Sequence, residues 1–258
     1  MMKRFFAATL IFTLLLIAGC GTTSEEKKAE RLPKLTIGLM PDTDSIPFII
    51  AAERGYFAEE GVEVELVPFK SAMERDAALQ SGNLDGAVSD LLAVIFARSG
   101  GFSLHATSYT DGNYNLIAGG NAGISSAADL HGKEIAISRN TIIEYVTDEI
   151  LAVNGMGEQD VSKVVIPQIP VRLEMLQSGN LAAAVLPEPM ANVAVASGSR
   201  YVTGSGDLGI NPGVIVFSDA SIQDKSASVR AMYRAYNKSV EYLNHAPRAE
   251  YIDLVMEK

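Results

Sequence analysis

Leu79-Gln80-Ser81-Gly82-Asn83-Leu84 returns 97 residues later as Leu176-Gln177-Ser178-Gly179-Asn180-Leu181, and both copies run on into Ala-Val, at Ala87-Val88 and Ala184-Val185. Each copy reads as the last turn of an amphipathic helix, a Gly-Asn stop suited to a left-handed C-cap, and a short buried strand. So long a separation exceeds any solenoid period and fits two lobes of like construction.

Working outward, the chain alternates strand and helix. In the first half, strands are expected over Leu35–Met40, Val62–Pro68, Asp85–Val88 and Leu104–Ser108, with helices over Pro47–Glu60, Ser71–Ser81 and Leu91–Ser99. The second set begins at Tyr114–Ala118. It continues with helix Ser125–Leu130, strand Glu134–Ser138, helix Ile142–Asn154, strand Val164–Ile169, helix Val171–Ser178, strand Ala182–Leu186 and helix Met190–Ser197. Beyond Tyr201–Thr203, the stretch Val214–Ser218 reads as a strand returning to the first lobe and Ile222–Leu243 as a long helix there. Such βαβα order predicts an α/β fold with mixed sheets flanked by helices. Two chain crossings between the lobes would make a hinge.

The 258 residues carry a formal charge of −10, and loss of Lys3 and Arg4 would lower it by two. So acidic a chain, with no clustered Lys/Arg stripe, argues against nucleic acid as a partner. Met1-Met2-Lys3-Arg4, the apolar run Phe5–Ile17 and then Ala18-Gly19-Cys20 read as an export signal too short to span a bilayer comfortably. Ala18 and Gly19 before the single cysteine resemble a lipobox, so residues 1–19 are expected to be removed and Cys20 to carry the lipid, palmitate included. Residues 20–33, rich in Thr, Ser, Glu and Lys, read as a flexible tether. The folded body then divides into 34–115 (first lobe), 116–212 (second lobe) and 213–258 (return to the first).

Three stretches carry a resemblance: Ala51–Glu65 (AAERGYFAEEGVEVE), Ala128–Ser138 (ADLHGKEIAIS) and Ala183–Met190 (AAVLPEPM), with Gln80–Ser89 beside them. On these the chain resembles the nitrate, sulfonate, taurine and thiamine-precursor binding proteins. The resemblance implies a two-lobed periplasmic-binding-protein fold of type II. It further implies an extracytoplasmic component of an ABC importer, working with a permease and its ATPase; with the lipid anchor read at Cys20, a monomer that uses no cofactor is expected. Members of that family usually continue for several tens of residues beyond the point corresponding to Lys258, in a part that packs on the first lobe.

Ligands of open α/β sheets sit beyond the carboxyl ends of the strands. That rule nominates Asp42, Asp44 and Ser45 after the first strand, Ser89 and Asp90 after the third, and Tyr109 at the first crossing. In the second lobe it nominates Ser138, Asn140 and Thr141 at a helix start, Glu188 between two prolines, and Asn211 on the return path. Helix capping alone would account for Asp44, Ser45 and Asp90. Thr141 with Glu144 has the spacing of a capping box, which makes Glu144 structural. The resemblance places Glu188 facing the cleft. Asp42, Asp44, Asp90 and Glu188 against Arg139 favour an amine-bearing heteroaromatic over a small dianion, although helix N-termini bind sulfonate or nitrate without arginine.

Catalysis finds little support. His105, His131 and His245 are scattered, and neither metal-ligand spacing nor a nucleophile elbow is present. Gly204-Ser205-Gly206-Asp207-Leu208-Gly209 matches a dinucleotide fingerprint but runs into Pro212 where a helix should begin, and reads as a turn. A capture protein for import is therefore expected, with a ligand-binding sensor or adaptor lipoprotein as the alternative and a two-lobed biosynthetic enzyme behind both.

Overall fold

The computed structural model describes residues 31–256; the leader, Cys20 and most of the tether lie outside them. In chain order the strands are β1 (Leu35–Leu39), β2 (Val64–Pro68), β3 (Gly86–Asp90), β4 (Leu104–Tyr109), β5 (Tyr114–Ala118), β6 (Glu134–Ile137), β7 (Ser162–Val165), β8 (Ala183–Pro187), β9 (Arg200–Gly204) and β10 (Gly213–Ser218). The helices between them are α1 (Ile46–Glu53), α2 (Tyr56–Glu59), α3 (Ala72–Gln80), α4 (Leu91–Ser99), α5 (Ile142–Val153), α6 (Ile169–Gln177), α7 (Met190–Ala196), α8 (Asp219–Asp224) and α9 (Ser226–His245).

Two five-stranded mixed sheets result, ordered β2-β1-β3-β10-β4 and β7-β6-β8-β5-β9. In each, three parallel strands are followed by one antiparallel strand delivered by a crossing: β10 beside β3, and β5 beside β8. Each crossing thus leads from the edge strand of one sheet to an inner strand of the other. Helices cover both faces, because strands buried on two sides read as continuous apolar runs such as Val214–Phe217. On the first sheet α1 and α9 pack Phe48, Ala51, Met232 and Ala235 against one face, and α3 and α4 pack Leu79 and Ala97 against the other. On the second, Val146 and Ile150 of α5 cover one face, and Leu176 of α6 with Ala191 and Ala194 of α7 cover the other.

The repeat closes identically in both lobes. Gly82 and Gly179 both have φ of 77°. Asn83 N donates to Ala78 O at 3.0 Å, and Asn180 N to Met175 O at 2.9 Å. The side chains match too: Asn83 Nδ2 to Ser81 Oγ and Asn180 Nδ2 to Ser178 Oγ are each 2.9 Å. These are Schellman-type ends, with glycine in the left-handed position.

Four expected elements differ. Gly55, at φ 74°, splits Pro47–Glu60 into α1 and α2. Ser125–Leu130 holds only the 3-10 turn Ala127–Leu130. The strand expected over Val164–Ile169 lies at Ser162–Val165, and α6 starts at Ile169, because Pro170 suits a first helical turn. Finally, Ile222–Leu243 breaks at Lys225, whose ammonium turns to Asp85 Oδ1 at 2.8 Å. Among the described residues no helix is long and apolar enough to cross a membrane.

Candidate ligand cleft

The lobes are closed on each other. Thr43 N donates to Glu188 O at 2.8 Å on one side, and Ile169 N donates to Lys70 O at 3.0 Å on the other. Met40 from the first lobe is buried in the apolar cluster of the second. Between these clasps lies a cavity of about 30 Å3, lined by Asp42, Arg75 and Asp90 from the first lobe and by Ser138, Thr141 and Arg172 from the second, with Tyr114 at the hinge.

The two arginines come from matching places. Arg75 on α3 and Arg172 on α6 stand 97 residues apart, in register with the repeat, and both are buried. Each ties its helix to the neighbouring strand end: Arg75 Nη1 donates to Val88 O and Arg172 Nε to Val185 O, both at 3.2 Å. Their electrostatics differ. Arg75 Nη2 lies 2.8 Å from Asp76 Oδ1 and 3.7 Å from Asp90 Oδ2. Burial pulls its pKa down, but these carboxylates outweigh burial and hold it above the ordinary value. Among the described residues Arg172 has backbone partners alone: besides Val185 O, its Nη1 donates to Ile166 O at 2.8 Å and Pro167 O at 3.0 Å. Burial, with no acid to oppose it, lowers its pKa to about 10, so it stays cationic at neutral pH.

The acids of the cleft are largely engaged. Asp90 caps α4 through Ala93 N at 2.9 Å, as its position allows, and burial raises its pKa against the pull of Arg75. Asp42 accepts from Ser45 N and Ser45 Oγ, each at 3.1 Å; burial nevertheless pushes its carboxyl up to about 6. Asp44 is no cap. It lies buried in the hinge, taking the Thr110 hydroxyl at 2.7 Å on Oδ2 while Oδ1 has no partner, and burial together with Asp42 pushes it up to about 7. Gly112 is required beside it, because a Cβ there would stand 2.3 Å from Asp44 Oδ2.

On the second lobe, Ser138 Oγ is buried without a partner, and Thr141 caps α5 by accepting from Ile143 N at 3.3 Å. Glu144 reaches back to Asn140 N at 2.7 Å, one residue before the cap, so the expected capping box is replaced by two offset bonds. Asn140 is exposed, at φ 56°. Glu188 turns away from the closed cavity: it accepts from Asn115 Nδ2 at 2.8 Å and Asn192 N at 3.2 Å. It lines an open groove of about 900 Å3 on the hinge side, shared with Tyr109, Tyr233 and Tyr236. Tyr109 is 76% exposed there. Ser45 and Ser89 are buried near the cleft, the hydroxyl of Ser89 unpartnered, and Asn211 is exposed.

The structure thus gathers Asp42, Asp90, Ser138 and Thr141 into one cavity, sets Asp44 and Glu188 along the hinge, and leaves Asn140, Tyr109 and Asn211 outside. Arg139, the one base counted from sequence, is 60% exposed, while Arg75 and Arg172 supply the buried positive charge. Both were readable: each lies four residues before the first leucine of the repeat. Glu144, Asp148 and Glu158 approach one another as metal ligands do, but Lys163 Nζ sits among them at 3.6, 2.5 and 2.6 Å.

The profile of the NMT1/THI5-like family matches residues 42–250. The chain belongs to that family. Its known relatives include a Bacillus subtilis (strain 168) protein assigned as an aliphatic sulfonates-binding protein, 25% identical over 139 residues, which cover 51% of this chain and 41% of that one. The formylaminopyrimidine-binding protein of Halalkalibacterium halodurans is 31% identical over 99 residues, 38% of this chain and 30% of that one. The match therefore spans less than half the length of either relative. Among solved structures, the alkanesulfonate-binding protein SsuA from Xanthomonas axonopodis pv. citri, bound to MOPS, superposes with TM-score 0.77 at 17% identity over 89% of this chain and 80% of that one. The periplasmic nitrate-binding protein NrtA from Synechocystis PCC 6803 gives 0.76 at 18% identity over 88% and 66%. These structures share the two-lobed, mixed-sheet fold that the repeat implies.

Proposed function

We propose that this chain is the substrate-binding component of an ABC importer, closing its two lobes over a small solute on the extracytoplasmic face of the membrane, and that it is not an enzyme. The observation that carries the reading is the closed cavity whose polar walls come from both lobes. Hydrogen bonds from two sides favour closure only when a ligand completes them, and a permease can then distinguish the loaded state. Family membership supports it, as do the names of the relatives, whose ligands are sulfonates, nitrate and a formylaminopyrimidine. Lipidation of Cys20 would hold the protein on the membrane, with residues 21–33 as the tether.

Any solute that binds the native state raises the unfolding midpoint by mass action, by about 2.7 kcal/mol of stability at a hundred times Kd. A thermal-shift screen with alkanesulfonates, nitrate, taurine and aminopyrimidines is expected to give a clear rise with one class. A folded protein that none of them stabilises at millimolar concentration would sink the reading. Replacing Cys20 with serine should move the protein from the membrane fraction to the soluble fraction.

A further inference from the structure

One short segment, residues 40–45, ties the lobes on the hinge side. Met40 enters the apolar cluster of the second lobe, Asp42 lines the cleft cavity, and Thr43 N donates to Glu188 O. Asp44 comes next, and it sits where both crossings pass. From the first crossing its Oδ2 takes the Thr110 hydroxyl at 2.7 Å, and the Gly112 amide donates to the same carboxyl. A Cβ on Gly213, where the second crossing ends, would stand 2.9 Å from that Oδ2. Asp44 is 3% exposed, and its Oδ1 has no partner.

The groups around this carboxyl oppose a charge on it. Asp42 faces it from its own segment and Asp111 from the first crossing, while Glu188 of the second lobe lines the same small hinge cavity. Tyr114 of β5 and Tyr236 of α9 face it with phenols whose own ionisation it discourages. Arg75 acts on Asp42, and among the described residues no ion pair includes Asp44. A buried carboxylate without a counter-ion is costly, and burial together with Asp42 pushes the Asp44 carboxyl up to about 7.

We propose that Asp44 is a proton-operated latch: the lobes close with a proton on this carboxyl and loosen when it ionises. The acid form removes the unpaired buried charge. Opening relieves the ionised form in another way, by letting water reach Oδ1. Because Asp42 and Thr43 belong to the same turn, a shift of Asp44 moves the clasp to Glu188 and one wall of the cavity together. By linkage, any solute is then held more tightly in a mildly acidic medium than in a mildly alkaline one. The proposal concerns closure itself, whatever the solute, so its failure leaves the binding-protein reading standing.

Hydrogen exchange of the purified, solute-free protein at pH 6 and pH 8, corrected for the intrinsic rate at each pH, tests this at two amides. Thr43 N reports the clasp beside the latch, and Ile169 N the clasp on the other side of the cleft. Protection of both should fall about tenfold between the two pH values, as expected for a group that titrates near 7 when closed and near its ordinary value when open. Asn83 N and Asn180 N, which close helices within each lobe, should keep their protection. Asp44→Asn, neutral at every pH, should level the profile at Thr43 and Ile169. Thr110→Val removes a hydrogen bond that favours the ionised form and should move the midpoint to higher pH; it carries the test if Asp44→Asn does not fold. Protection unchanged between pH 6 and pH 8, a fall confined to Thr43, a fall shared by Asn83 and Asn180, a fall retained in folded Asp44→Asn, or an unmoved midpoint in Thr110→Val overturns the proposal.

Discussion

The two lobes solve one construction problem twice, and where the solutions diverge the divergence is informative. Both end a helix on Leu-Gln-Ser-Gly-Asn, both bury an arginine under that helix, and both tie it to the carbonyl of a valine in the following strand. In the first lobe Asp76 and Asp90 pair with the arginine within its own lobe; in the second the arginine is held by three backbone carbonyls. A closed ion pair makes the first lobe self-sufficient.

Removing the arginines should break that comparison most severely. Arg75→Met strands Asp90 in a buried site, and breaking such a pair costs about 3–5 kcal/mol. Arg172→Met strands only carbonyls, so about 1–3 kcal/mol is expected, the range for lost hydrogen bonds to buried groups. Urea denaturation of both variants checks the order, and equal losses would mean that Asp90 is not Arg75's counter-ion. Next in size is a packing swap. Gly86 pairs with Phe217 across β3 and β10, where its counterpart Ala183 pairs with Ala118 across β8 and β5. A Cβ on Gly86 would stand 2.5 Å from Val216 O and 2.7 Å from the Phe217 ring. Gly86→Ala should therefore cost about 1–3 kcal/mol by overpacking. Ala183→Gly, which only loosens a strand, should cost about 0.5–1 kcal/mol.

Much of this was legible in the sequence, and the boundary has a physical location. A repeat, a helix stop and an apolar run are local signals, so α4 and β5 fall on Leu91–Ser99 and Tyr114–Ala118 as the pattern predicts. The side chains that face the cavity are set by long-range approach. Asp44 and Glu188 look alike in sequence, as acids after strands, yet one is locked by Thr110 across the hinge and the other by Asn115 on the far side of the cavity. Counting charges along the loops missed Arg75 and Arg172 because they sit on helices and reach the cleft through their length. Extending the repeat four residues upstream would have found both.

The hinge supplies a pH test of the same asymmetry. Asp44 braces the first crossing with a carboxyl pushed up to about 7, where Asn115, just past the same crossing, holds Glu188 with a neutral amide. Unfolded, Asp44 would titrate near its ordinary value of 3.8. Between those values the native state holds a proton that the unfolded chain has released. This contribution is complete below pH 4 and is lost as pH rises toward 7, by about 1.4 kcal/mol per pH unit at most. Asp44→Asn removes it, so its melting curve should pull ahead of the wild type's between pH 4 and 8. Parallel curves would show that Asp44 is not protonated in the closed hinge.

The smallest effect tests whether the two lobes are equivalent where they look it. Gly82 and Gly179 share φ of 77°, and neither has a neighbour within 4 Å of a Cβ, so only the left-handed backbone opposes a side chain. Replacing either by alanine should then cost about 1 kcal/mol, the strain of a non-glycine residue in that region. Asparagine tolerates the left-handed region better, so Gly82→Asn and Gly179→Asn should cost less than the alanine variants. What matters is equality between the lobes within a few tenths of a kcal/mol, since both caps repeat the same hydrogen bonds. A larger cost at Gly179 would show that its helix end is coupled to the buried arginine on the same helix, and that the symmetry of the two caps does not extend to their energetics.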